Sequence, residues 1–204
     1  MLELVKAGGW LMVPIVLCSI VATAIIAERF WSLRRKTIVP NRLVLEVWKW
    51  VRSGSLDEER VSELREGSPL GRILAAGLLH RNADRDAMKE SIQDEGRHVV
   101  YELERYLNSL GTIASITPLL GLLGTVIGMI KVFSVITTEG VGDPSVLAHG
   151  ISEALVTTAA GISVAIPTLM FYRYFRRRVD GLVVSMEEEA TKMVEALQGM
   201  RARS

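Results

Sequence analysis

The chain has 204 residues, with 24 Lys or Arg against 23 Asp or Glu, and a formal net charge of +1 at pH 7. This near-neutral charge argues against a nucleic-acid partner, because nucleic-acid binders need excess basic residues to neutralise phosphates. The single Cys excludes a scaffold of intramolecular disulfides, and the apolar residues, 49% of the chain, lie in long blocks typical of a membrane protein.

The first apolar block lies near the N-terminus, where residues 8–27 carry no formal charge. About 20 apolar residues in a helix cross a bilayer core of about 30 Å, so residues 1–28 are predicted to form a short outer N-terminus and a first transmembrane helix. A signal peptide is the alternative, because residues 22–24 resemble a cleavage site. However, the basic cluster follows the block, at residues 29–36, whereas a signal peptide carries it in front.

Residues 29–106 are mostly polar and predict a domain of short helices. The Ser68-Pro69 pair is typical of a helix N-terminus. Apolar residues then recur at helical spacing from Met88 to Leu107, and no Pro separates this stripe from the next apolar block. We therefore expect one continuous helix from about residue 85 to about residue 136.

Two further apolar blocks predict the second and third transmembrane helices, at residues 107–137 and 151–173. Neither block alternates in hydrophobicity as a membrane β-strand does, so both should be helical. The loop between them, residues 138–150, contains no Lys or Arg, whereas residues 173–178 are strongly basic. Because basic residues stay in the cytoplasm, the N-terminus and this loop should be periplasmic, and residues 174–204 should be cytoplasmic.

An apolar stripe at helical spacing continues through residues 174–204 and predicts a C-terminal helix. The sequence thus predicts an all-α membrane protein with three transmembrane helices. The second and third of these helices should extend into a cytoplasmic helical bundle.

Motifs of soluble enzymes are missing, since the sequence contains no GxxxxGK[ST], GxGxxG, HExxH or GxSxG. The three histidines, His80, His98 and His149, lack partners at metal-ligand spacing. We therefore predict no catalytic residue, no metal and no cofactor, and a protein that is not an enzyme.

Charged residues within the apolar blocks are the most informative polar groups, because an ionisable side chain at the centre of a membrane helix costs about 2.5 kcal/mol or more. Glu153 either faces an aqueous path or lies hydrated at the outer mouth, where the helix N-terminus favours an acid. The sequence leaves both interpretations open. For Lys131, the favoured interpretation is that its side chain snorkels to the outer interface.

Small residues that let helices approach closely recur in the second and third blocks. They include Gly121, Gly124, Gly128 and Gly161. Several threonines lie near them, and each can bond its hydroxyl to a backbone carbonyl one turn earlier, so helix packing explains them most simply. These threonines are Thr125, Thr157, Thr158 and Thr168.

Two long runs carry a resemblance to a known family. They are TPLLGLLGTVIGMIKVF, residues 117–133, and GISEALVTTAAGISVAIPTLMFYRYF, residues 150–175. Both resemble the MotA/TolQ/ExbB proton-channel family, most closely its ExbB branch, and the three-span layout extends the resemblance over nearly the whole chain. A TolQ-like subunit of the Tol-Pal system, which maintains outer-membrane integrity, is the alternative, as is a non-conducting membrane scaffold.

The resemblance implies a homopentamer in the bacterial inner membrane. Its second and third helices would surround a pore that holds the transmembrane helices of an ExbD-like single-span partner, whose membrane Asp carries protons. A TonB-like protein would couple the proton-motive force to active transport across the outer membrane. Protons would be the transported ion.

The resemblance also implies pore-lining positions, which fall on Glu153, Thr125 and Thr158. Helical geometry raises an alternative for the last of these. At 100° per residue, Thr157 lies about 40° from Glu153, whereas Thr158 lies about 140° away. Thr157 is therefore the geometric alternative to Thr158.

Overall fold

The computed structural model describes residues 8–40, 42–53, 55–81, 84–139 and 144–201. All regular elements within these ranges are helices, and three helical segments are long and apolar enough to cross a membrane. The predicted fold class, an all-α membrane protein, is confirmed.

Short helices separate the first apolar helix from the two long helices that end the chain. In chain order, the described ranges contain α1 (Met12–Ser32), α2 (Arg35–Ile38), α3 (Leu43–Arg52), α4 (Glu58–Gly67), α5 (Pro69–Leu79), α6 (Arg85–Leu103), α7 (Leu107–Glu139) and α8 (Pro144–Arg201). Helix α8 begins within the segment predicted as the loop 138–150, at a Pro that suits the first position of a helix.

The chain forms two compact units. Unit 1 comprises Met1–Glu28 and Tyr106–Tyr174, and unit 2 comprises Arg29–Arg105 and Phe175–Ser204. Unit 1 contains most of α1, all of α7 and the first part of α8. Unit 2 contains α2 to α6 and the last part of α8.

The expected continuous helix from residue 85 to residue 136 is wrong, because α6 ends at Leu103 and α7 begins at Leu107. Between them, Tyr106 has φ of 63°, a left-handed conformation that an α-helix of L-residues does not contain. A side chain of α1 forms a hydrogen bond with the end of α6: the buried Arg29 guanidinium donates to the Leu103 carbonyl at 3.1 Å. The apolar stripe persists across the break, so periodicity alone gave no sign of it.

Unit 2 has an apolar core to which α5, α6 and α8 contribute. The stripe predicted after residue 174 is buried in this core, and its buried members are Val179, Leu182, Met186, Ala190, Met193 and Leu197. The Ser68 N-cap is confirmed, since its hydroxyl accepts a hydrogen bond from the Gly71 N–H at 3.0 Å and Pro69 begins α5.

An ion-pair network joins α5 to α6 at the edge of this core. The Arg72 guanidinium lies 2.7 Å from a carboxylate oxygen of Glu95 and 2.7 Å from one of Glu102. These two carboxylates, chiefly through the hydrogen bond to Glu102, raise the pKa of Arg72 above its ordinary value despite the opposing effect of partial burial. Arg72 therefore stays charged at every physiological pH.

Helix α5 offers a matched test of the unit 2 core. Leu74 is fully buried and Leu79, on the same helix, is exposed. We expect Leu74→Ala to lower the free energy of unfolding by about 2–5 kcal/mol, because it removes apolar contacts and leaves a cavity. Leu79→Ala should change it by about 0.5 kcal/mol or less. Thermal unfolding of both purified full-length variants in detergent measures the difference, and equal melting temperatures would contradict the assigned core.

Candidate functional site

The contact between α7 and α8 in unit 1 is built from small residues, and in two places backbone meets backbone. A Cβ atom placed on Gly161 would lie 2.6 Å from the Thr117 carbonyl oxygen. A Cβ on Gly121 would lie 3.0 Å from the Thr158 Cα. Any side chain at Gly161 would therefore require the two helices to move apart.

The same contact continues towards the end of α7. A Cβ on Gly124 would lie 2.2 Å from the Thr157 hydroxyl oxygen, and a Cβ on Gly128 would lie 2.9 Å from the Ala154 Cβ. From Gly121 to Gly128 the residue numbers rise along α7, while the contacted residues on α8 run back from Thr158 to Ala154. The two helices are therefore antiparallel. We call this contact the glycine seam.

The threonines of the predicted site have different surroundings. Thr157 is 1% exposed, and its hydroxyl lies 3.0 Å and 2.9 Å from the carbonyl oxygens of Glu153 and Ala154 on its own helix. The half-buried Thr158 also reaches across the seam, since its hydroxyl lies 3.0 Å from the Gly121 carbonyl oxygen of α7 and 3.2 Å from the Ala154 carbonyl oxygen of its own helix.

Thr125 is half-buried, and its hydroxyl donates to the Leu122 carbonyl of its own helix at 2.6 Å. This is the local bonding that the sequence suggests for membrane threonines. Thr168 shows it too, bonded to the Val164 carbonyl at 2.7 Å. Among the candidate threonines, Thr158 has the bond that joins two helices.

Glu153 forms an ion pair with Lys131 across the ends of α7 and α8. The Lys131 Nζ lies 2.9 Å from Glu153 Oε1 and 3.1 Å from Oε2. The Glu153 side chain is 15% exposed, whereas that of Lys131 is 52% exposed. An ammonium bridging both carboxylate oxygens fixes the orientation of the acid more firmly than one hydrogen bond does.

The segment before α1 covers the same carboxylate. Gly9 has φ of 68°, and a Cβ there would lie 2.0 Å from Glu153 Oε1. A Cβ on the neighbouring Gly8 would lie 3.3 Å from the Thr157 Cγ2. Glu153 and Thr157 therefore lie on one side of α8, as their angular separation predicts, and the N-terminal turn packs against both.

A cleft of about 350 Å³ opens beside the ion pair. Its polar lining comes from Lys131, Ser134, His149 and Glu153. Within the described ranges, no three His, Cys, Asp or Glu side chains form a group that could hold a metal ion.

The ion pair is the feature that sequence reasoning missed. The sequence prediction treats Lys131 and Glu153 separately, whereas the structure places the Lys131 Nζ 2.9 Å from Glu153 Oε1. Snorkelling of the Lys131 stem to the outer interface stays a prediction. A signal for the pair does exist in the sequence: the opposite charges lie near the two ends that an antiparallel arrangement of the second and third blocks brings together. The four glycines of the sequence analysis all lie in the glycine seam.

Known proteins share the region that holds the seam and the ion pair. Residues 65–188 match the sequence model of a protein family that is described as the MotA/TolQ/ExbB proton channel family. This range includes all of α7 and residues Glu153 to Thr158 of α8. A putative biopolymer transport protein of Synechocystis, ExbB-like 3, is 35% identical over 83% of this chain and 82% of its own length.

Two further relatives extend the similarity along the chain. The biopolymer transport protein exbB1 of Vibrio cholerae is 28% identical over 97% of this chain and 89% of its own length. The biopolymer transport protein ExbB of Salmonella typhimurium is 28% identical over 90% of this chain and 78% of its own length.

Proposed function

The chain belongs to the MotA/TolQ/ExbB proton channel family and is most similar to its ExbB members, and on this premise we propose that it is the membrane subunit of a proton-driven complex for biopolymer transport. The observation that carries the proposal is the glycine seam with Glu153 at its end, within the matched range. An ionisable group held within membrane helices is characteristic of ion paths.

The complex that we propose is a homopentamer with an ExbD-like single-span partner and a TonB-like protein. In it, α7 and α8 of five copies line a pore, and a carboxylate of the partner carries the proton. Glu153, Thr125 and Thr158 line the pore. The protein needs no cofactor and acts in transport, with protons as the conducted ion, rather than as an enzyme.

The seam suits the stationary part of such a machine. Backbone atoms that touch through glycines leave few side-chain rearrangements available, so α7 and α8 form a stiff pair. Thr158 adds a hydrogen bond across that pair. A stiff wall lets proton transfer move the helices of the partner rather than deform the channel.

Complementation tests this function. The chain and an ExbD-like partner are expressed in cells that lack their own ExbB and TolQ proteins. We expect recovery of TonB-dependent uptake, and we expect a protonophore to abolish it. Recovery of detergent resistance without uptake would instead indicate the TolQ-like role. Recovery of neither, with the complex assembled, would favour a non-conducting scaffold and contradict the proposal.

We also propose a location in the inner membrane, with a periplasmic N-terminus and a cytoplasmic C-terminus, because the basic segments follow the first and third apolar blocks. In a Cys18→Ser background, a cysteine at Asp143, which lies outside the described residues, should react with a membrane-impermeant maleimide in intact spheroplasts. A cysteine at Asp57 should react only after lysis. The opposite pattern would overturn the orientation.

A further inference from the structure

The Lys131 ammonium on α7 contacts both oxygens of the Glu153 carboxylate on α8. We infer that Lys131 is a positioning residue for Glu153: its ammonium holds the carboxylate between α7 and α8, against the turn at Gly9. This inference rests on the proposed function, because it takes Glu153 to be needed for proton-driven activity.

The exposure of the two side chains supports this assignment. A carboxylate that is 15% exposed needs a partner, because a largely buried charge without one is strongly disfavoured. Lys131 supplies that partner while its side chain stays 52% exposed. The alkyl stem of a Lys can lie along a helix surface and direct the ammonium to either side. In this protein the ammonium reaches both carboxylate oxygens of Glu153.

Gly9 completes the arrangement from a third segment of the chain. Its φ of 68° lies in the region that favours glycine, and a Cβ 2.0 Å from Glu153 Oε1 would displace the carboxylate. The Glu153 carboxylate is therefore located by Lys131 of α7 and by the backbone before α1. Changing either one should move it without altering the carboxylate itself.

Cross-linking tests the position of the carboxylate directly. A membrane-permeable carbodiimide activates the carboxylate, and the Lys amine then displaces the activated oxygen to form an amide. The carbodiimide leaves as a urea, having taken up that oxygen and two protons of the ammonium. We expect peptide mass spectrometry of the full-length protein in membranes to find Lys131 joined to Glu153. Lys192 and Glu189, whose charged atoms lie 2.6 Å apart, serve as the positive control. Cross-linking of that control pair without Lys131–Glu153 would overturn the inference.

Activity tests whether the position matters. In the complementation assay, Lys131→Met should reduce proton-driven uptake by about tenfold, equivalent to about 1.4 kcal/mol, because it removes the charge and keeps a similar length. Lys131→Arg, which retains the charge, should restore most of the uptake. Gly9→Ala should resemble Lys131→Met. Gly181→Ala is the matched control, because a Cβ at Gly181 meets no atom within 4 Å.

The outcomes separate this inference from the function on which it rests. If Glu153→Ala retains full uptake, the proposed role of Glu153 fails. If Glu153→Ala is inactive and Lys131→Met is fully active, the role of Glu153 stands and the positioning role of Lys131 is wrong. If Lys131→Met and Lys131→Arg are equally inactive, the charge of Lys131 is not what positions Glu153, and the inference is also wrong.

Discussion

Replacing Gly161 with Leu should abolish assembly of the protein. The Cβ of the new side chain would lie 2.6 Å from the Thr117 carbonyl oxygen and 3.2 Å from the Gly121 Cα, and neither is a side-chain atom that could rotate away. Relief requires α7 and α8 to separate, which would break the Thr158–Gly121 hydrogen bond as well. We expect Gly161→Leu to lower the free energy of unfolding by about 3 kcal/mol or more, which is the upper end of the cost of overpacking.

Native mass spectrometry in mild detergent measures this effect. The unaltered protein should form a symmetric oligomer, which we propose to be a pentamer. The Gly161→Leu variant should instead be found as monomers or as aggregates. Gly181→Leu is the control on the same helix, because a Cβ there meets nothing within 4 Å. It should assemble normally and be more stable by up to about 1 kcal/mol, since Leu favours a helix more than Gly does. Normal assembly of Gly161→Leu would contradict the seam.

Loss of the Glu153 carboxylate should have the largest effect on activity. We expect Glu153→Ala to abolish energised uptake in the complementation assay while the oligomer stays intact. Glu153→Gln keeps the shape and removes the charge, so it should be intermediate or equally inactive. If the carboxylate merely lay hydrated at the mouth, its loss would remove only a helix-dipole interaction of about 0.3–1 kcal/mol, and uptake would remain nearly normal.

The neighbouring threonines test which side of α8 faces the pore. Thr157 is 1% exposed within one chain, and a residue so enclosed has little surface left for a pore between chains. We therefore propose that Thr158 is the pore position and expect Thr158→Val to lose more uptake than Thr157→Val, with assembly normal in both. The reverse order would support the angular argument, which places Thr157 nearer to Glu153. If both variants support normal uptake, neither threonine belongs to the pore site.

Several features of this protein were readable from the sequence. The three apolar helices follow from block length and composition, because a stretch of about 20 apolar residues has the same preference for a bilayer wherever it occurs. The start of α5 was equally predictable from the sequence, since Ser68 and Pro69 act on the backbone within one turn. The runs around Gly124 and Glu153 also identified the family, which the family model and the relatives confirm.

The remaining features depend on residues that are far apart in the chain. The break at Tyr106 is accompanied by a bond from Arg29 to Leu103, 74 residues away, and the apolar stripe continues through it unchanged. Lys131 and Glu153, 22 residues apart, become a pair only when α7 and α8 pack in one particular register. Hydropathy and helical periodicity describe each segment against its surroundings. They do not indicate which two segments pack against each other. The register in which α7 packs on α8 determines the position of Glu153.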